Sequence, residues 1–389
     1  MRLFVAALAV LALPACQAVR TDLAETEREA VQSANADRPV TGAPAEAPEV
    51  DDDDPLRFPG ERHLRNVRQL TFGGNNAEAY WSPDGERLIF QSDWGAINTQ
   101  GCDQQFVMSV ADGAGEDGDG ARLVSTGTGR TTCGYFLTDD RIVYASTHPG
   151  GPACPVTAAS QTGRYVWDIF PTYDIFVADA DGSNTELLIG GEGYDAEATV
   201  SPAGRFVVFT STRSGDLELW RLEVATGELL QLTDTLGYDG GAFFSPDGTQ
   251  IVWRSSRPTG EAADAYRALL ANDTVEPGAL DLYVADIDGS NVRRVTRLPG
   301  ANWAPFFHPS GESLIFASNH HTMAEGGREF DLFLVDIASG ELERVTFSGT
   351  FDAFPMFSPD GTRLVFASNR NLSRTPSRDT NVFVADWVE

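Results

Sequence analysis

A short phrase that recurs six times is the feature that most constrains how this chain can fold. Each copy is a mainly apolar pair followed by Ser-Pro-Asp-Gly or a degraded form of it. The copies begin at Tyr80, Phe136, Thr199, Phe243, Phe306 and Met356. A short apolar run ending in Ser follows each copy. Pro, Asp and Gly favour tight turns, so the phrase predicts a repeated β-hairpin, and hairpins that cannot bury their faces alone must stack.

Two further strands complete each repeat. A third strand, such as Asp281–Val284 or Asp331–Leu334, precedes a fourth that ends in Thr. The fourth strands are Leu229–Thr233, Val292–Thr296 and Leu342–Thr346. Successive turn phrases lie 56, 63, 44, 63 and 50 residues apart. The shortest interval matches the roughly 40–45 residues of a four-stranded propeller blade. The sequence therefore predicts an all-β, six-bladed β-propeller with four antiparallel strands per blade and loop insertions in the longer repeats.

The two ends of the repeat array complement each other. The last repeat stops after its third strand, Asn381–Trp387, and a fourth-strand sequence without a blade, Asn66–Thr71, stands at the start of the array. We expect this N-terminal strand to close the last blade, because closure removes the open edges of the ring.

The repeat resembles that of a known family. The aromatic-Ser-Pro-Asp-Gly hairpin, the Ser368-Asn369-Arg370 ending and the Asp281-Leu282-Tyr283 strand are similar to the repeat of TolB-like, WD-like β-propellers. The resemblance covers residues 61–389 and implies the propeller fold. It leaves the function open, since this repeat serves scaffolds, sensors and the gating domains of peptidases.

The N-terminus reads as an export signal. An apolar run, Leu3–Leu13, precedes Leu13-Pro14-Ala15-Cys16, which resembles the bacterial lipobox. The resemblance implies a signal peptide at 1–15, an acylated Cys16 and, from Gln17, an outer membrane location facing the periplasm or the surface. A secretory signal with an incidental Cys is the alternative. Residues 16–60, rich in Ala, Glu, Pro and Asp, predict a flexible acidic tether before a propeller at 61–389.

The charge balance restricts the partners. The chain has 28 basic residues, all Arg, against 57 acidic ones, giving a net charge of −29. Such a charge repels phosphate backbones and anionic headgroups, so we expect no nucleic acid partner and membrane contact only through the anchor. The absence of Lys removes Schiff-base and P-loop chemistry.

One polar residue recurs six positions before each turn Ser or its equivalent. These six residues are expected to ring the central channel, with Glu78 and Glu197 just inside the same mouth: Asn76, Thr132, Asp195, Asp239, Asn302 and Asp352. Their oxygens could hold calcium, with Asp195, Asp239 and Asp352 as metal ligands, or a cationic peptide end. The alternative is that Asp and Asn cap the chain as it enters each strand.

A second column lies two residues past each strand-two Ser. It comprises Trp94, His148, Arg213, Arg257, His320 and Arg370. The Arg members are expected to brace polar residues at the start of the third strand. His148, His320 and His321 stand in long loops at the same mouth. With Asp195, Asp239 or Asp352 they define an alternative function, a metal-dependent hydrolase or lyase.

Insertions gather on the face that carries this mouth. They span 93–104, 147–173, 257–280 and 319–330, and the third contains a helical pattern over 261–271. Binding surfaces commonly lie on loops over a rigid scaffold. Since the nucleophile-elbow pattern Gly-x-Ser-x-Gly is absent, we expect the mouth to bind an envelope protein, peptide or glycan without catalysis and without a firmly assigned cofactor.

Three cysteines, Cys102, Cys133 and Cys154, fall near the mouth in blades one and two. Export to an oxidising compartment favours one disulfide and one free thiol, and the sequence leaves all three pairings open.

Overall fold

The computed structural model describes residues 40–41, 54–158, 165–372 and 378–389. Within these ranges the strands form six blades of four antiparallel strands, one for each predicted repeat, which confirms the six-bladed β-propeller. Five of the blades place their strands in chain order, with the first innermost and the fourth outermost; in blade six the outermost strand is the N-terminal one. No helix among the described residues is both long and apolar enough to cross a membrane.

The strand bounds follow the repeats. Blade one has β3 (Asn76–Trp81), β4 (Arg87–Ser92), β5 (Gln104–Ser109) and β6 (Ala121–Leu123); blade two has β7 (Thr131–Thr138), β8 (Arg141–Ser146), β10 (Asp174–Asp179) and β11 (Glu186–Ile189); blade three has β12 (Asp195–Val200), β13 (Phe206–Ser211), β14 (Glu218–Glu223) and β15 (Glu228–Gln231). Blade four has β16 (Asp239–Phe244), β17 (Gln250–Ser255), β19 (Asp281–Asp286) and β20 (Arg293–Arg294); blade five has β21 (Asn302–Phe307), β22 (Ser313–Ser318), β23 (Asp331–Asp336) and β24 (Leu342–Arg344); blade six has β25 (Asp352–Phe357), β26 (Arg363–Ser368), β27 (Asn381–Trp387) and the N-terminal β2 (Leu64–Gln69).

Short elements occupy the connections. The strand β1 (Val40–Thr41) pairs in parallel with β24. The strands β9 (Trp167–Asp168) and β18 (Thr274–Val275) belong to the long loops of blades two and four, and the helix α1 (Glu261–Leu270) lies in the latter loop, as the sequence predicts. Two 3-10 turns cover His148–Gly150 and His320–Glu325.

The N-terminal strand closes the ring. β2 pairs antiparallel with β27, with Leu64 opposite Trp387 and Gln69 opposite Phe383, which confirms the predicted closure. The hydroxyl of Thr71, just past β2, accepts a hydrogen bond from the Val382 amide at 2.9 Å.

The same threonine contact explains why the fourth strands stop short of their predicted ends. The hydroxyls of Thr233, Thr296 and Thr346 accept from strand-three amides at 2.8–2.9 Å. A side chain therefore replaces the last backbone bond of each ladder, and the regular strand ends before the Thr.

Residues preceding β2 already pack on the propeller. Leu56 is buried, and the Phe58 ring lies against the guanidinium of Arg370, 5.4 Å from ring centroid to Cζ. The packed chain thus begins before residue 61, the boundary drawn from composition. The predicted signal peptide, Cys16 and the tether up to residue 53, apart from β1, lie outside the described residues.

Every first strand carries a β-bulge after its second residue. The third residue of each strand has a positive φ of 48–59°: Glu78, Cys133, Glu197, Gly241, Ala304 and Phe354. Bulges bend a strand and redirect one side chain. Here all six bulged residues line the same narrow part of the central channel, so each blade contributes its bulged residue to the channel wall.

Candidate functional site at the channel mouth

The predicted ring of strand-one polar residues does not line the channel. Asn76, Asp195, Asp239, Asn302 and Asp352 are buried within their own blades. The amide oxygens of Asn76 and Asn302 accept from the strand-two hydroxyls of Ser92 and Ser318 at 2.7 and 2.6 Å. Thr132 is the exception, since it borders the cavity at the channel mouth. A second register shift in β7 places Thr131, and not Thr132, at the position that the other five residues occupy in their strands. The residues of this ring therefore fasten strand one to strand two.

The Arg column braces strand one, which corrects the predicted pairing with strand three. Arg213 and Arg257 donate to Asp195 and Asp239 at 2.7 and 2.8 Å. Arg370 contacts Asp352 in the same way at 3.2 Å. These are the three carboxylates named as calcium ligands. Each is bound to an Arg of its own blade, so the structure does not bring the three together.

The histidines also lie inside their blades. The Nδ1 atoms of His148 and His320 are 2.9 Å from the hydroxyls of Ser146 and Ser318. Burial lowers the pKa of both, that of His320 to about 4 with the neighbouring His321 contributing. His321 Nε2 lies 2.7 Å from Asp331. Among the described residues no group of three His, Cys, Asp or Glu is arranged to hold a metal ion.

A cavity of about 410 Å³ opens at the predicted mouth, which we call the mouth cavity. Its polar wall contains Glu78, Gln91, Asp103, Arg130, Glu197 and Arg254, and its apolar wall contains Trp167, Tyr238, Trp303, Phe351 and Phe354. Glu78 and Glu197, expected just inside the mouth, are both here.

A saturated polar cluster forms one side of this cavity. Glu197 accepts from Arg254 at 2.5 Å, from the Tyr238 hydroxyl at 2.7 and 2.9 Å, from Thr210 at 2.7 Å and from the Gly241 amide at 2.8 Å. Both carboxylate oxygens are thus fully engaged, and the Arg254 charge is neutralised within the cluster.

Unlike Glu197, Glu78 is only partly hydrogen-bonded by the described residues. Its Oε2 is buried and has no hydrogen-bond partner among the described residues. Burial raises the pKa of Glu78 to about 7, against the opposing effects of a hydrogen bond with the Cys133 thiol and of the Arg254 charge. Burial likewise raises the pKa of Cys133 well above its ordinary value, so this thiol stays protonated and poorly nucleophilic.

Long loops cover part of the mouth cavity. β9 pairs with β18, with Trp167 opposite Val275, so the insertions of blades two and four meet over the mouth. Trp167 packs edge-on against Tyr238 at 5.8 Å between centroids, and the Arg254 guanidinium lies 5.0 Å from its ring. Trp303 continues the apolar wall, 4.9 Å from Phe354.

The channel narrows below the mouth and is obstructed by aromatic rings. The constriction between the six bulged residues has a volume of about 20 Å³. Beneath it, Tyr80, Tyr135, Phe243 and Phe306 pack with centroid distances of 5.3–6.3 Å. A separate, mainly apolar cavity of about 350 Å³ lies at the opposite end, among the Ser-Pro turns. The mouth cavity therefore has a floor.

The structure selects one of the three cysteine pairings. Cys102 and Cys154 form a disulfide with a Cα–Cα distance of 5.9 Å, and Cys133 is free. The bridge ties the loop of blade one to that of blade two at the mouth.

Sequence reasoning missed Arg254, the residue that organises the cluster. The residue before the strand-two Ser faces the channel side, and in three blades it is Ala: Ala145, Ala317 and Ala367. The exceptions are Gln91, Thr210 and Arg254, all of which hydrogen-bond to residues of strand one in the same or a neighbouring blade. A polar residue at a position that holds Ala in three of the six blades was therefore the sequence signal that could have identified Arg254.

Comparisons with known proteins agree with this fold. Residues 267–374 match the family model described as the TolB beta propeller domain. An uncharacterized protein of Agrobacterium fabrum is 29% identical over 149 residues, 37% of this chain and 46% of that protein. The Tol-Pal system protein TolB of Anaeromyxobacter dehalogenans is 27% identical over 171 residues, 44% of this chain and 33% of that protein. This chain therefore matches less than half the length of either relative.

A solved structure shares the fold over most of the chain. A gluconolactonase of Xanthomonas campestris superposes with a TM-score of 0.50 at 14% identity, covering 84% of this chain and 91% of that one. At this identity the superposition concerns the fold alone. This chain is therefore a six-bladed β-propeller in which residues 267–374 match the TolB beta propeller domain.

Proposed function

We propose that this protein is a lipid-anchored binding protein of the cell envelope, whose mouth cavity receives a segment of a partner protein. The observation that carries the proposal is the mouth cavity itself, about 410 Å³ with one polar and one aromatic wall and a closed floor. Cavities that combine apolar lining with a few placed polar groups are typical of binding sites.

The residues around the cavity favour binding. The charged pairs Arg254–Glu197 and Arg130–Asp103 are held in place by the fold and give the cavity a rigid polar wall. Trp167, half-buried in the covering loop, offers a rigid aromatic contact of the kind that dominates protein interfaces. The names of the curated TolB relatives, which place them in a Tol-Pal system, support a protein partner in the envelope.

Site-specific photocrosslinking in intact cells tests this proposal. A photoreactive residue at Tyr165, 71% exposed at the rim, should capture a discrete partner, and one at Leu229, 40% exposed on the outer strand β15, should not. Trp167→Ala should abolish the Tyr165 product, whereas Trp220→Ala, a half-buried Trp outside the cavity, should leave it intact. Equal capture at both positions, or no effect of Trp167→Ala, would contradict the proposal.

The anchor has its own test. Labelling with a clickable fatty acid should mark the wild-type protein and not Cys16→Ser, and the variant should move from the membrane to the soluble fraction. An unlabelled wild-type protein would show that Cys16 is not acylated.

A further inference from the structure

Glu78 stands out as the cavity's unsatisfied acceptor. Glu197 has all its acceptor positions filled by Arg254, Tyr238, Thr210 and the Gly241 amide. Glu78 has one oxygen, buried in the channel wall, for which the described residues provide no hydrogen-bond partner. A buried acceptor without a donor is costly, because it has lost its water without gaining a bond. A ligand that supplies a donor there would remove that cost.

The surroundings favour a cationic donor. The charged or titratable groups around Glu78 are the Cys133 thiol, Arg254, Glu197, Asp103, and the phenols of Tyr80 and Tyr173. Arg254 is neutralised by Glu197, and Asp103 by Arg130. A deprotonated Glu78 therefore has no ion-pair partner of its own among the described residues. The ring of Phe354, which borders both the mouth cavity and the constriction, can also attract a cation.

The size of the constriction at Glu78 indicates which kind of cation fits there. The mouth cavity narrows at Glu78 to a constriction of about 20 Å³, the space of about one small group. A planar guanidinium is wide, whereas an ammonium is a compact charge on an unbranched stem. A metal ion would require several oxygen ligands. The other side chains with oxygen atoms at the constriction include those of Glu197 and Thr199, which already hydrogen-bond within the fold. Cys133 offers only a protonated thiol, and Phe354 offers no ligand atom.

From this geometry we propose that Glu78 binds the ammonium group of a Lys side chain, inserted through the mouth cavity from a partner protein. The Lys methylene stem packs against the aromatic wall while the ammonium donates to Glu78 Oε2. The chain contains no Lys, so neither a second copy nor another segment of this protein can supply that side chain. The inference rests on the proposed binding function and specifies what the cavity recognises.

Calorimetric titration of the purified full-length protein tests this assignment without the partner. The probes are Nα-acetyl-lysine amide, 1,5-diaminopentane, glucosamine and the neutral analogue 1,5-pentanediol. At pH 8 both linear amines should bind, and the diol should bind at least ten times more weakly. Glu78→Gln should weaken the amines at least tenfold. Glu192→Gln, a change at an exposed carboxylate outside the cavity, should not alter their affinity.

The pH profile separates recognition by Glu78 from a merely structural effect. The ammonium needs the ionised carboxylate, whose pKa is about 7. Wild-type affinity for 1,5-diaminopentane should therefore fall about tenfold between pH 8 and pH 6, and the residual affinity of Glu78→Gln should stay flat.

Specific results would overturn the inference. Equal binding of the diol, unchanged affinity in Glu78→Gln, or no heat with either linear amine would remove Glu78 as an ammonium site. Tighter binding of glucosamine than of the lysine amide would replace Lys by an amino sugar. If the photocrosslinking result holds while these titrations fail, the mouth binds a protein segment through other contacts.

Discussion

Glu61 and Arg370 form an ion pair in which neither side chain is exposed. The two guanidinium nitrogens lie 3.0 and 3.1 Å from the Glu61 carboxylate, and Arg370 also contacts Asp352 at 3.2 Å. The Leu56 carbonyl accepts a further bond from Arg370. The segment before β2 is thereby fastened to blade six independently of the β2–β27 ladder.

Arg370→Ala should strongly destabilise the propeller, because it removes the counter-ion of two buried carboxylates, Glu61 and Asp352. We expect a loss of about 3–5 kcal/mol in the free energy of unfolding, measured by urea denaturation. Arg205→Ala is the matched control. Its pair with Glu223 is 64% exposed on the Arg side, so the loss should be at most about 1 kcal/mol. Similar losses in both variants would show that the Glu61 contact does not hold the N-terminal segment.

Gly241→Ala should disrupt the polar cluster of the mouth cavity. A Cβ at this position would lie 2.1 Å from Nη1 of Arg254, and φ is +59°. Gly248→Ala isolates the backbone effect, since its φ is +70° and its nearest neighbour would be at 3.5 Å. We expect about 1–2 kcal/mol for Gly248→Ala and a larger loss for Gly241→Ala, measured by urea denaturation.

The equivalent residue of blade five shows that a Cβ at the bulge is compatible with the fold. Ala304 occupies the same bulge at φ +48°, so the bulge itself accepts a Cβ. Equal losses in the two Gly variants would mean that Arg254 adjusts without cost.

Glu78→Gln should stabilise the protein at alkaline pH. The folded-state pKa of Glu78 is about 7 and its ordinary value is 4.5, so the folded protein holds this proton more tightly than the unfolded chain does. The contribution of Glu78 to stability is full below pH 4.5 and is lost as the pH rises through 7. The variant should exceed wild type by up to about 3 kcal/mol at pH 8, with the difference vanishing near pH 4.5. Urea denaturation across this pH range measures it, and a difference independent of pH would contradict the assignment.

The cysteine pairing can be read by non-reducing trypsin mapping. Cleavage after Arg separates the three cysteines into peptides 88–122, 131–141 and 142–164. We expect the first and third to be linked and the second, with Cys133, to be alkylated only after denaturation, since burial keeps its thiol protonated. Rapid alkylation of native Cys133, or a link that includes it, would overturn the pairing.

The repeats were sufficient to predict the architecture but not the lining of the channel. Turn chemistry and strand alternation placed the hairpins, the α1 helix and the closing strand. Strict alternation along the first strand predicts that Asn76 and Glu78, which are two residues apart, both face the channel. The bulge after Ala77 breaks that alternation, so Glu78 faces the channel and Asn76 turns into its blade.

The residue types at the bulge position do not reveal the bulge in the sequence. Its six positions hold Glu, Cys, Glu, Gly, Ala and Phe, and only the Gly is typical of a positive φ. The disulfide was undetermined for a different reason: it joins two loops of neighbouring blades, and their approach depends on how the blades pack.

The pairing of β9 with β18 makes the pseudo-sixfold ring directional. This crossbar links blades two and four over the edge of blade three, while Asn75, Phe351 and Thr380 border the cavity on the side of blades five, six and one. The six blades are therefore not equivalent around the cavity. A peptide bound as proposed above would meet the two paired loops on one side and the ends of the other blades on the other.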